Sequence, residues 1–158
     1  MTLDLLNNEN ETATLGAALA RLCQPGDLIT LDGPLGVGKT ALSKAIIQYF
    51  APHETVTSPT FSLLQIYNED NSCPIWHVDA YRIIHAQEVF DLGIEEVRDH
   101  VILLVEWSEK IMPMLHQPRF TICLDYDDHK PECRQVKIHT SLEDQALLDR
   151  LWRNMDVT

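Results

Sequence analysis

The 158-residue sequence has no apolar run of the roughly 18 residues that carry a helix across a bilayer, which predicts no transmembrane helix. Its opening stretch, MTLDLLNNENET, lacks the basic region followed by an apolar stretch that marks a secretion signal. It also lacks a basic cluster. The formal net charge is −12, and the residues up to 80 and those beyond it each carry −6, so no basic half hides behind an acidic tail. A chain without a positive stripe is poorly suited to gripping nucleic acid directly, and an acidic surface better suits docking onto a more basic protein. The four cysteines, Cys23, Cys73, Cys123 and Cys133, form no CxxC pair. A zinc set of Cys123, His129, Cys133 and His139 is disfavoured, because Cys123 and His139 fall inside strand-like runs, and reduced thiols packed as small apolar groups are the expectation. There is no internal repeat and no low-complexity segment. With 45% apolar and 23% charged residues, the composition is that of a globular protein. These features predict a single cytoplasmic domain over residues 1–158, without membrane attachment.

The chain alternates strand-like and helix-like segments. Residues 2–6 read as a short edge strand, and Glu11 to Leu22 as an amphipathic helix with Leu15, Leu19 and Leu22 on one face. A strand follows over residues 27–32. Leu42, Ala45, Ile46 and Tyr49 then recur at helical spacing, with Pro52 closing the helix. Residues 60–67 and 75–79 read as strands joined by a polar turn, and residues 87–92 as a helix stopped by Gly93. The most apolar strand, residues 101–105, ends at Glu106 and suits a position buried on both faces. Strands over 120–125 and 135–140 precede a final helix opened by Ser141, with Asp144 three residues on. The fold class is therefore α/β, a mixed sheet flanked by helices.

Between the second strand and the second helix lies Gly33-Pro34-Leu35-Gly36-Val37-Gly38-Lys39-Thr40, a complete GxxxxGK[ST] phosphate loop in its strand–loop–helix setting. Glycines let the backbone N–H groups wrap a polyanion, and the helix beginning near Lys39 adds its free N–H groups and positive dipole end. Lys39 supplies a charge to the β- and γ-phosphates, and Thr40 a hydroxyl to magnesium. The expected fold is that of a P-loop NTPase, and the expected ligand is a nucleoside triphosphate, ATP with Mg²⁺. An Asn-Lys-x-Asp segment for guanine is absent, and only Arg82 and Arg98 fall mid-chain, too few for the arginine-rich lid of a small-molecule kinase. A metal or water carboxylate is expected at a strand tip. Glu106 follows the more typical pattern of apolar residues and then an acid; Asp79 is the second candidate.

Beyond the loop, the sequence contains Thr12, Leu15 and Gly16 as ThrxxLeuGly, then Ser58-Pro59-Thr60-Phe61, His77-Val78-Asp79-Ala80-Tyr81-Arg82, and Glu106-Trp107. In this order and spacing the set resembles the bacterial TsaE family, over about two thirds of the chain. The resemblance implies a slow Mg-dependent ATPase, releasing ADP, in the pathway that installs threonylcarbamoyl on the adenosine beside the tRNA anticodon. It implies TsaD and TsaB as protein partners, with tRNA met only through them. It places Thr12 near the adenine, Leu35 to Thr40 around the phosphates, and Thr40 with Glu106 on magnesium directly or through water. Lys39, Asp79 and Glu106 would be catalytic, Asp79 as a water-holding or metal-shell carboxylate. Ser58 to Phe61 would be a switch-like segment and Trp107 would flank the site. Pro34 stands where many members carry Asp. Two competing readings are a small-molecule kinase and a module in which ATP is only a structural ligand.

Overall fold

The computed structural model describes residues 2–155. Its chain runs β1 (Thr2–Leu6), α1 (Glu9–Ala20), β2 (Leu28–Asp32), α2 (Lys39–Phe50), β3 (Leu64–Tyr67), β4 (Ile75–Asp79), α3 (Ala86–Asp91), α4 (Ile94–Val97), β5 (Ile102–Glu106), β6 (Phe120–Tyr126), β7 (Arg134–His139) and α5 (Leu142–Met155). The seven strands form one mixed sheet in the order β1-β7-β6-β2-β5-β4-β3. β2 pairs in parallel with both β5 and β6, and β4 in parallel with β5, whereas β1–β7, β6–β7 and β3–β4 are antiparallel.

Strand periodicity sorts the core into two layers. Ile29 and Leu31 of β2, Ile102 and Leu104 of β5 and Ile75 of β4 pack with Leu15, Leu19, Leu42, Ile46 and Leu148 of α1, α2 and α5. The intervening residues Leu28, Val78, Leu103 and Val105 pack on the other face with Val89, Ile94 and Ile111. Both faces of β5 are covered, as its unbroken apolar run predicts. By the same alternation His77, Asp79 and Glu106 lie on the layer that holds α2.

Several boundaries differ from the sequence expectation, each for a local reason. α1 starts earlier because Asn8 caps it: Asn8 Oδ1 accepts from Glu11 N at 3.0 Å, while Glu11 Oε2 accepts from Asn7 N at 2.8 Å. β3 begins at Leu64 rather than residue 60. Leu63 adopts φ 64°, a left-handed conformation that interrupts extended chain, and its N–H closes a turn onto Pro59 O at 2.7 Å. After Gly93 (φ 72°) the chain re-enters a short helix, α4, that periodicity did not reveal. Ser141 does cap α5, accepting from Asp144 N at 3.0 Å, but the Asp144 carboxylate turns to Arg119 instead of closing a capping box. Arg119 pins the end of the sheet, donating to Asp144 at 2.7 Å and to Asp27 at 2.8 Å. On the helical layer α1 and α2 approach closely: a Cβ built on Gly16 would fall 2.4 Å from Ala45 Cβ, so only glycine fits there.

Candidate nucleotide site

The phosphate loop spans the tip of β2 and the start of α2. Gly33, Gly36 and Gly38 have φ values of 140°, 75° and 114°, a region that side chains disfavour. A Cβ at Gly33 would fall 2.2 Å from Leu124 O, whereas one at Gly38 would project into open space. α2 starts at Lys39, with Gly38 as N-cap and no side chain capping it. Its first-turn N–H groups are therefore available to an anion.

Two neighbouring cavities flank the loop. One, of about 390 Å³, is lined by Leu35, Gly36, Gly38, Lys39, Thr40, Ala41, Ser58, Thr60, Asp79, Tyr81, Glu106 and Trp107. The other, of about 430 Å³, shares Gly36, Gly38 and Ala41 and adds Asn8, Thr12, Val37 and Arg134. Thr12, Leu35 to Thr40, Asp79 and Glu106 each border one cavity or both, Thr12 on the second side; Ser58, Thr60 and Trp107 join them on the first, whereas Pro59 and Phe61 border neither.

The charged groups are held in a network. Lys39 is 5% exposed, and Nζ donates to Gly33 O at 2.7 Å and Pro34 O at 2.8 Å while lying 3.8 Å from the centroid of a Trp107 ring. Burial lowers its pKa below the ordinary 10.5, against the attraction of Glu106 and Asp79. Asp79 and Glu106 are register partners at the tips of the parallel strands β4 and β5. Glu106 is 1% exposed; its Oε2 accepts from Thr40 Oγ1 at 2.9 Å, and its Oε1 from Ser43 Oγ at 2.8 Å and His77 Nε2 at 2.8 Å. Burial alone would raise the Glu106 pKa, but His77, Ser43 and Thr40 outweigh it and hold the carboxyl below its ordinary value of 4.5. Asp79 Oδ1 accepts from Tyr81 N at 2.9 Å, and Oδ2 from Thr60 Oγ1 at 2.7 Å. Thr60 in turn contacts Ser58 Oγ at 2.6 Å, linking the Ser58 to Phe61 segment to a strand-tip carboxylate. Arg82 forms no ion pair with Asp79 among the described residues; its guanidinium lies over the Phe61 ring at 4.3 Å.

Trp107 follows Glu106 in a left-handed conformation, φ 59° and ψ 41°, which costs a non-glycine residue roughly 1 kcal/mol or more. That turn sets its indole between Lys39 and the Tyr81 ring, whose centroid is 4.9 Å away. Ser43 was not singled out from the sequence, although a polar residue on the buried face of α2, four after Lys39, is a readable signal. His77, the first residue of the HisxAspxTyrArg motif, is buried and hydrogen-bonds to Glu106.

The residues present fit a metal-bound polyphosphate better than a bare metal. No group of three or more His, Cys, Asp or Glu residues could hold a cation among the described residues. Thr40 and Glu106 instead offer one hydroxyl and one ionised carboxylate side by side, a partial shell that phosphate oxygens and water would complete.

The sequence profile of the family described as "Threonylcarbamoyl adenosine biosynthesis protein TsaE" matches residues 6–136. A tRNA threonylcarbamoyladenosine biosynthesis protein TsaE of Rickettsia felis is 39% identical over 149 residues, covering 93% of this chain and 85% of that protein. The protein of the same name from Bacillus subtilis is 36% identical over 118 residues, 74% of this chain and 73% of the relative. The crystal structure of B. subtilis YdiB superposes with a TM-score of 0.73 at 26% identity, over 98% of this chain and 97% of the other. The profile match, these relatives and the shared fold agree: the chain belongs to the TsaE family, whose members take part in the biosynthesis of threonylcarbamoyladenosine in tRNA.

Proposed function

We propose that this protein is a slow Mg-dependent ATPase that serves tRNA threonylcarbamoylation together with the TsaD and TsaB proteins. The observation that carries the reading is the Thr40–Glu106 pair at 2.9 Å, lying beside the buried Lys39 where α2 begins. Thr40 and Glu106 would hold magnesium, which when bound neutralises charge on the phosphate oxygens. Lys39 would exchange its two loop carbonyls for β- and γ-phosphate oxygens, and the Gly38 cradle would admit them because no Cβ fills it. Thr12, on the second cavity, would lie against the nucleoside.

Hydrolysis needs only water as co-reactant: a P–O bond to water forms at the γ-phosphorus, the bridge to the β-phosphate breaks, and ADP and phosphate leave. Of the two carboxylates that line the first cavity, Asp79 is the one not tied to Thr40 and would take this task. Its link through Thr60 to Ser58 supports a role for that segment in sensing the γ-phosphate. The tight wiring of both carboxylates favours slow turnover, since little in the network is free to move a proton. The acidic charge of −12 supports contact with basic protein partners and leaves tRNA to them.

The test is reconstitution of the modification with purified TsaD and TsaB, comparing wild type with Lys39→Ala and Glu106→Ala. Lys39→Ala is expected to weaken ATP binding by about tenfold to a hundredfold, the value of charge-assisted hydrogen bonds. Glu106→Ala is expected to lower Mg-dependent hydrolysis more than nucleotide affinity. Unaltered ATP affinity in Lys39→Ala, or turnover indifferent to both partners, would overturn the proposal.

A further inference from the structure

The loop is held from outside by the β6–β7 hairpin, which plays no part in the chemistry described above. Tyr126, the last residue of β6, and Arg134, the first of β7, are register partners. The Tyr126 hydroxyl donates to Leu35 O at 2.8 Å, and Arg134 Nε donates to Val37 O at 3.0 Å. Arg134 is itself fixed, since Nη1 donates to Pro131 O and to Cys133 O, each at 2.7 Å, and its guanidinium lies 4.8 Å from the centroid of the Tyr126 ring. Two residues earlier on β6, Leu124 O presses on Gly33 so closely that a side chain there is excluded. The hairpin therefore holds the carbonyls of Leu35 and Val37 and packs against the backbone at Gly33 and Gly36, where a Cβ would fall 3.2 Å from the Tyr126 hydroxyl.

Peptide planarity gives these contacts a consequence. In a trans peptide the C=O of one residue and the N–H of the next point in opposite directions. Holding Leu35 C=O toward the hairpin turns Gly36 N–H away from it, and holding Val37 C=O does the same for Gly38 N–H. Gly36 and Gly38 both line the first cavity, and both have the freedom to let their preceding peptide flip, because they lack a Cβ. Resting on the ATPase reading, we propose that Tyr126 and Arg134 are positioning residues that fix these two peptide planes with their amides facing the phosphates. Neither would need to touch the polyphosphate.

The experiment compares binding of MgATP and of inorganic triphosphate to wild type, Tyr126→Phe and Arg134→Lys, with the melting temperature of each ligand-free chain. Tyr126 borders neither cavity, so Tyr126→Phe removes one latch and no ligand contact. Arg134 borders the second cavity, and inorganic triphosphate, having no nucleoside, separates a loop effect from a lost nucleoside contact. Tyr126→Phe is expected to weaken both ligands by the same factor, about three- to tenfold for one hydrogen bond, while melting shifts by no more than about 2 °C. Arg134→Lys should weaken both ligands in the same way. Equal affinities in wild type and both variants would overturn the latch and leave the ATPase reading standing. Loss confined to ATP, or a lower melting temperature with affinity unchanged, would overturn it as well. A wild-type chain that bound neither ligand would remove both proposals together.

Discussion

His77 Nε2 and Glu106 Oε1 lie 2.8 Å apart, beneath the site and out of solvent. A carboxylate only accepts, so the imidazole donates through Nε2, and its Nδ1 has no hydrogen-bond partner among the described residues. Because Glu106 has a lowered pKa in the folded chain, its ionised form stabilises the fold fully above the ordinary value of 4.5. That contribution fades as pH falls below 4.5 and through the lower folded value. Wild type should therefore melt above Glu106→Gln near neutrality, and the gap should close on acidification. A gap that stays constant with pH would mean that Glu106 is not the ionised acceptor of this network.

The loop glycines should fail in different ways. Gly33→Ala forces a methyl into Leu124 O and should destabilise the chain by more than about 1 kcal/mol, read as a lower urea midpoint. Gly38→Ala meets no atom within 4 Å, so its folding penalty is confined to the unfavourable φ of 114°. Its effect should appear in nucleotide affinity, where the methyl would stand in the phosphate cradle. Normal ATP affinity in a folded Gly38→Ala variant would contradict this.

Magnesium should depend on the nucleotide. The chain offers Thr40 and Glu106 but no cluster of three ligating side chains among the described residues. Calorimetric titration with Mg²⁺ alone should give no saturable heat, and binding should appear once ATP is present. Saturable binding of magnesium to the ligand-free chain would show that the shell is more complete than this pair.

Arg119 tests the scaffold apart from the site. Its guanidinium serves Asp27 and Asp144, each 14% exposed, and lowers the Asp144 pKa below its ordinary 3.8. Arg119→Met should cost about 1–3 kcal/mol in urea unfolding, because two half-buried carboxylates lose their donor. ATP affinity should not change. A parallel fall in affinity would join this end of the sheet to the site.

What could be read from the sequence follows from how far each feature depends on its neighbours in the chain. The phosphate loop, the apolar β5 and the acids at the tips of β4 and β5 are local patterns, and each stands where it was expected. The start of β3 was misread because Leu63 turns left-handed within a run of strand-forming residues, a choice made by tertiary contacts, including Asp79 N donating to Leu63 O at 3.0 Å. Ser43 and His77 were visible as residues, but their common acceptor is 63 and 29 positions away, beyond any periodicity. Tyr126 and Arg134 lie 91 and 97 residues from the carbonyls that they hold, so no spacing could have matched them to the loop.

The bare backbone at Gly16 works as a spacer of zero thickness. α1 bears Asn8 and Thr12 at its leading end, and α2 opens with Lys39, so on the proposed reading the distance between the two helices would set the gap available to the nucleoside. One methyl group at position 16, which borders neither cavity, would act as a wedge, changing the width of that slot without altering a single residue that borders it.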